Sequence, residues 1–303
     1  MEGPVSRVAQ ESPGKNPGAE QLPMKTAGRS LREIRSGIWT LQRFGLTPQK
    51  VFHRLSNGPA PRILCLCIPK AGTHLLERAL CLHPRLYRKV IPTINSRNLE
   101  KWGTLEKLLS RLRPGQIVVS HLWYSEERLQ AIRSTGTHAI CLIRDPGDIA
   151  VSRAFYIAKN RNHEYHRLFA AAGSLQERIK LVLAGDSQCE LDSLQGILRR
   201  FSGWLTSDLL VVRYEDLVGP AGGGSLQAQF QTLSAVYNYI GMRMDRDRLA
   251  ALQQEVFSAD SPTFRAGVIG QWRRHFNAEL EALFRDTCEE HLLQYGYSWD
   301  PRV

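Results

Sequence analysis

Lys70, Gly72 and Thr73 stand together where an apolar run, residues 63–68, breaks at Pro69 and gives way to a helix-period pattern at Leu75, Leu76, Ala79, Leu80 and Leu82. A strand that turns tightly into a helix makes an anion site, because the first N–H groups of the helix have no partner within it and point into the loop. Gly72 lets the backbone approach closely, Thr73 adds a hydroxyl and Lys70 adds a charge, so the stretch from Lys70 through Ala71, Gly72 and Thr73 to His74 suits a phosphate or a sulfate. An ordinary strand-to-helix turn is the competing reading of these residues. The nucleotide-triphosphate loop, G-x-x-x-x-G-K-[ST], is not present, since Lys70 precedes the glycine. Three further stretches carry chemistry: Ser120-His121, the run from Arg144 to Ser152, and Tyr214-Glu215-Asp216-Leu217.

The elements that must position these residues alternate. Strand patterns at 63–68, 116–121, 138–143 and 209–213 are separated by helical patterns, which imply a parallel sheet covered on both faces. Ligands of such sheets bind at the carboxyl ends of the strands. Lys70 to His74, His121, Arg144 to Ser152 and Tyr214 all fall there. The expected fold is therefore α/β: three layers, a mostly parallel central sheet, and a phosphate-loop-like strand-loop-helix. Helices are also expected at 104–112, 125–133, 226–240, 246–257 and 278–295, and Pro114-Gly115 is a turn. Residues 86–102 are too mixed to assign.

Residues 1–29, rich in Gly, Pro, Ser and charge, read as a disordered tail, and 30–303 as one α/β domain. A helix capped by Ser30 and running to about residue 44 sets Leu31, Ile34, Ile38 and Leu41 on one face, expected to pack on its own domain. A basic amphipathic helix lying on a membrane surface is the other reading. Residues 56–61 and the glycine-rich 219–225 read as loops, the second as a plain flexible linker or an anion cradle. The segment 264–276 is too rich in Gly and too basic for a core element and is expected to meet a ligand, with Trp272 packing.

A 43% hydrophobic fraction over 303 residues supports a sizeable core, and the net charge of +11 points to an acidic partner. The six cysteines show no metal-ligand spacing and read as buried free thiols of a reducing compartment. His163-Glu164-Tyr165-His166 lacks the zinc spacing His-Glu-x-x-His. No run of roughly 18 or more apolar residues spans a membrane, and the N-terminal residues lack the apolar stretch of a signal peptide. A cytoplasmic protein is the expectation.

Taken together, the motifs resemble those of sulfotransferases that use 3′-phosphoadenosine 5′-phosphosulfate (PAPS). Pro69-Lys70-Ala71-Gly72-Thr73-His74 is similar to their 5′-phosphosulfate loop, and Arg144 to Ser152 to their 3′-phosphate motif. Phe264-Arg265-Ala266-Gly267 with Gly270-Gln271-Trp272 resembles the segment that closes over that phosphate. Tyr214-Glu215-Asp216-Leu217 resembles the stretch near the adenine, and Ser120-His121-Leu122 the one that carries the catalytic base. The motifs run in the family's order across residues 62–297. Three positions depart from the pattern: Ala266 replaces a Lys of the closing segment, Leu75 a Trp near the adenine, and Val119 a Lys found two residues before the His.

The resemblance implies sulfuryl transfer from PAPS to a hydroxyl or amine, with His121 as general base and Lys70 stabilising the leaving oxygen. Lys70, Ala71, Gly72, Thr73, His74, Arg144, Ser152, Tyr214, Arg265, Ala266 and Gly267 would bind the donor, and no metal is required. The role of His74 beyond the loop is open. Transfer of this kind rests on positioning and electrostatics, and a histidine suits proton removal near neutral pH. The implied partner is a small-molecule, lipid or glycan acceptor, with peripheral membrane contact compatible and nucleic acid not expected. The segments expected to shape its pocket are 86–102, 123–124 and 156–169. Two alternatives remain: a phosphate-loop kinase using ATP and Mg²⁺, and a non-catalytic polyanion binder.

Overall fold

The computed structural model describes residues 26–55, 59–257 and 267–299, with side chains from residue 34 onward. Its centre is the most apolar run of the chain. β1 (Ile63–Cys67) lies between β4 (Gln116–His121) and β5 (His138–Ile143), and β6 (Leu210–Arg213) follows β5. Two short strands, β2 (Tyr87–Arg88) and β3 (Ile94–Asn95), lie in succession along the free edge of β4. All the pairings are parallel. β1 is buried at every position, because helices cover both faces and no alternation of polar residues is called for.

The helices pack in two groups. α3 (Thr73–Cys81) packs on α1 (Thr26–Arg43) and α12 (Arg246–Val256), with α11 (Leu226–Tyr239) beyond. α6 (Pro146–Lys159) packs on α7 (His166–Ala171), α8 (Leu175–Ala184) and α13 (Ala278–Gln294), and α9 (Leu194–Phe201) also packs on α13. The result is the expected three-layer α/β architecture. Side-chain caps set several helix starts: Thr104 accepts from Lys107 N–H at α4 (Leu105–Ser110), and Ser125 from Arg128 N–H at α5 (Glu126–Ser134).

Residues 86–102 resolve into β2, β3 and a short 3₁₀ turn, each too brief for a periodic signal. α2 (Pro48–Leu55), α7, α8 and α9 are further additions to the sequence reading. Ser56, Asn57 and Gly58 of the first expected loop lie outside the described residues.

Helix α1 departs from expectation twice. It already begins at Thr26, so the expected boundary after residue 29 falls inside it. Its apolar stripe also faces outward: Ile34, Ile38 and Leu41 are 55%, 56% and 47% exposed. The side that packs is the one bearing Trp39 and Arg43. The cause sits in α3, where Glu77 is buried and must be paired. Both nitrogens of the Arg43 fork reach its carboxylate, and Arg88 of β2 donates to Oε2 at 2.7 Å. Arg78 stacks its guanidinium 4.6 Å from the Trp39 ring. Charge pairing, not hydrophobic patterning, sets how α1 is rotated.

Residues 219–225 are a packed corner, not a flexible linker. Gly222 is buried and its carbonyl accepts from Ile269 N–H at 3.0 Å, while Ser225 caps α11. Of the segment 264–276, Phe264, Arg265 and Ala266 lie outside the described residues. The rest is anchored by Trp272, which is buried against Phe276, Phe284 and Trp299. The expectation of a non-core loop therefore fails from Trp272 onward, and the expectation that Trp272 packs holds.

Candidate active site

After β1 the chain turns in five residues. Lys70 adopts φ 74°, a left-handed conformation uncommon for a residue with a side chain. Ala71 N–H donates to Ile68 O at 3.0 Å and closes the turn. Gly72 has φ 104° and precedes α3, and the Tyr214 ring lies where its side chain would be, so only glycine fits. The first turn of a helix has no carbonyls a turn earlier to receive its N–H groups. Here that turn opens on a cavity of about 590 Å³ at the carboxyl edge of the sheet. Lys70 extends into the same space with its ammonium 3.9 Å from the centre of the Tyr156 ring.

His121 ends β4, paired with Asn95 of β3, and lines the cavity. Its Nδ1 lies 2.8 Å from Cys67 O. A carbonyl only accepts, so Nδ1 carries the proton and Nε2 keeps its lone pair. The ring body is packed in protein while its edge meets the cavity. Burial lowers its pKa to about 4; the Cys67 carbonyl opposes this, and Lys70, His74 and Arg153 add to it. The imidazole is therefore neutral near pH 7, as a base must be.

Arg144 follows β5. Its guanidinium carbon sits 4.1 Å over the Tyr214 ring, and Nη2 donates to Asp148 Oδ2 at 3.2 Å and to Val268 O at 2.9 Å. Its Nε is shielded from solvent and has no hydrogen-bond partner among the described residues. Asp148, in the first turn of α6, also accepts from Gly270 N–H at 2.9 Å and Trp272 N–H at 3.1 Å. One carboxylate thus fixes Arg144 and ties α6 to the segment after residue 267. Trp272 Nε1 donates to Asp145 Oδ2 at 3.0 Å and its ring packs where a side chain on Gly147 would be. Burial, with the charge of Asp148 beside it, raises the Asp145 pKa to about 6. Tyr214 opens α10 (Tyr214–Leu217), and its hydroxyl donates to Gly267 O at 2.8 Å.

The cavity thus gathers most of the sequence-derived residues. Lys70, Gly72, Thr73 and His74 line one part of it. Arg144, Ser152, Tyr214 and Gly267 line another, and His121 lies with them. Ala71 is the exception: its side chain is buried and lies off the cavity wall. Arg265 and Ala266 lie outside the described residues. His74 Nδ1 is 3.6 Å from Glu77 Oε2, so the loop also touches the buried ion cluster.

Sequence reasoning missed Glu77, Trp39 and Asp148, whereas Tyr156, from the segment 156–169 expected to shape the pocket, does line the cavity. Asp148 carried a signal, since it lies four residues after Arg144, the spacing of an ion pair on one helical turn. Trp39 carried none. It comes from α1, far away in sequence, and lines the cavity with Leu75 and Arg78.

Residues 60–221 match the family model described as the sulfotransferase domain. Comparison with curated proteins finds no match. Among solved structures the fold is similar to mouse sulfotransferase SULT7A1 complexed with PAP. The two share 18% identity over 78% of this chain and 89% of that one, with a TM-score of 0.57. It is also similar to retinol dehydratase in complex with androsterone and inactive cofactor PAP, at 14% identity over 81% of this chain and 85% of that one, TM-score 0.52. Likeness at these identities bears on the fold. The family match covers just over half of the 303 residues and contains the Lys70 loop, His121, Arg144 and Tyr214. The chain belongs to the sulfotransferase family, enzymes of sulfuryl transfer.

Proposed function

We propose that this enzyme transfers a sulfuryl group from PAPS to a hydroxyl or amine of a small-molecule, lipid or glycan acceptor, with His121 as general base. One observation carries the reading. A free imidazole nitrogen, a lysine at a helix start and a buried arginine with a spare Nε share one cavity at the carboxyl edge of a parallel sheet. That mouse SULT7A1 and retinol dehydratase hold PAP supports the choice of donor.

His121 Nε2 takes the proton of the acceptor hydroxyl as its oxygen attacks sulfur. The bond between sulfur and the bridging phosphate oxygen breaks, and the negative charge passes to that oxygen. Lys70 and the first N–H groups of α3 stabilise it there, in a site already folded around them. Arg144, with Ser152 two turns along α6, holds the 3′-phosphate through charge-assisted hydrogen bonds. Arg265 and Gly267 would close over the same phosphate. Tyr214 is held by Gly72 on one side and Arg144 on the other, and lies beside the adenine. Ala71 shapes the loop from below without touching the donor. The steps call on no metal.

The test is transfer of labelled sulfate from PAPS to a panel of phenols, sterols, fatty alcohols and sugars. His121→Gln is expected to lower the rate by about 10²–10⁴-fold while PAP binding is kept. A His121→Gln enzyme as fast as wild type would contradict the assignment of the base.

A further inference from the structure

Next to Ser152, α6 sets a second arginine on the cavity wall. The Arg153 guanidinium is half-buried, and no described residue accepts a hydrogen bond from it. Its Nε is shielded from solvent without a partner. Two carboxylates on the same wall, Glu164 and Asp192, lie within electrostatic range. Each already has its own cation: Glu164 pairs with Arg97, and Asp192 with Arg200. Arg97 on the wall and Arg200 behind Asp192 thus account for both carboxylates, and the unmatched guanidinium is Arg153. Arg153 lines the same cavity as His121 and His163.

A shielded guanidinium nitrogen without a partner is costly, and the cost is removed when an anion completes its hydrogen bonds. In the reading above the donor's phosphates engage Lys70, Arg144 and the first turn of α3, which leaves Arg153 to the other substrate. The planar fork matches a carboxylate or another oxyanion in two parallel bonds.

We propose that Arg153 binds an anionic group carried by the acceptor, so that the enzyme selects hydroxy compounds bearing a carboxylate or similar oxyanion. The inference rests on the sulfotransfer reading and narrows its acceptor class. Arg153 is then a specificity residue, and neutral alcohols of the same shape are poor acceptors.

Calorimetric titration of the PAP-loaded enzyme tests this with two matched pairs of probes. They are 4-hydroxyphenylacetate beside its amide, and 16-hydroxyhexadecanoate beside its amide. At least one carboxylate is expected to bind wild type about tenfold or more tightly than its amide. Arg153→Gln removes the preference, Arg153→Lys keeps part of it, and PAP affinity is unchanged in both. Equal binding within each pair, or no binding of any probe to wild type, overturns the proposal, and neither result requires a variant that folds. It is also overturned if Arg153→Gln keeps the carboxylate preference but weakens PAPS more than PAP. That result would put Arg153 on the transferring sulfuryl group. Failure of wild type to bind PAP would be a different failure, of the donor reading, and would take this inference with it.

Discussion

His121 has one nitrogen committed and one free. The carbonyl of Cys67 holds the proton on Nδ1, and the packed ring with cations nearby resists a second one. Its folded pKa of about 4 lies below the ordinary 6.5, so between those values the folded protein binds less proton than the unfolded chain. The stability from this group is present above about pH 6.5 and is lost as pH falls toward 4. Proton NMR of the ring in the unliganded enzyme should therefore show His121 neutral down to about pH 5, with a midpoint near 4. A midpoint near 6.5 would contradict the burial of the ring. The histidine was legible in the sequence because it ends a strand. The carbonyl that orients it was not, because Cys67 is 54 residues away and backbone acceptors leave no mark on sequence.

At the scale of elements, α1 and α3 show where sequence patterning misleads. The stripe Ile34, Ile38, Leu41 reads as a buried face, yet the helix is held by Arg43 on Glu77 and by Trp39 under Arg78. A buried acid in a helix shows no period, so the sequence offered no reason to turn α1 around. Two sets of variants separate the readings in denaturant unfolding. Gln at Ile34, Ile38 or Leu41 should change stability by no more than about 0.5 kcal/mol each. Glu77→Ala should cost about 3–5 kcal/mol, because Arg88 is left buried without its partner. The reverse order of effects would show that α1 packs by its apolar stripe. Burial alone would raise the Glu77 pKa, but His74, Arg88 and Arg43 outweigh it and bring it to about 2, below the ordinary 4.5. The stability from this cluster is thus present above about pH 4.5 and is lost as pH falls toward 2. Asp148 belongs to the same lesson: the Arg144 motif was legible, whereas the carboxylate that orders the segment after residue 267 emerges only when α6 meets it.

For the whole molecule, alternation of strand and helix was enough to place the sheet, its parallel sense and the edge where the site lies. β1, β4, β5 and β6 are built on short apolar runs bounded by turn residues, and such runs are readable. The two-residue strands β2 and β3 were not, although β3 sets Asn95 beside His121 and so shapes that end of the cavity. The proposed donor side was readable because its residues follow strands in short motifs. The proposed acceptor side draws on β3, α6 and the chain before α7 and α9, and no short motif spans them. The proposed function requires the cavity to hold a 3′-phosphorylated adenine nucleotide. Calorimetric titration with PAP beside ATP-Mg²⁺, on wild type and Arg144→Ala, tests it most directly. PAP should bind tightly, ATP-Mg²⁺ far more weakly, and Arg144→Ala should weaken PAP by about tenfold or more. Preference for ATP-Mg²⁺, or PAP affinity untouched by Arg144→Ala, would contradict it.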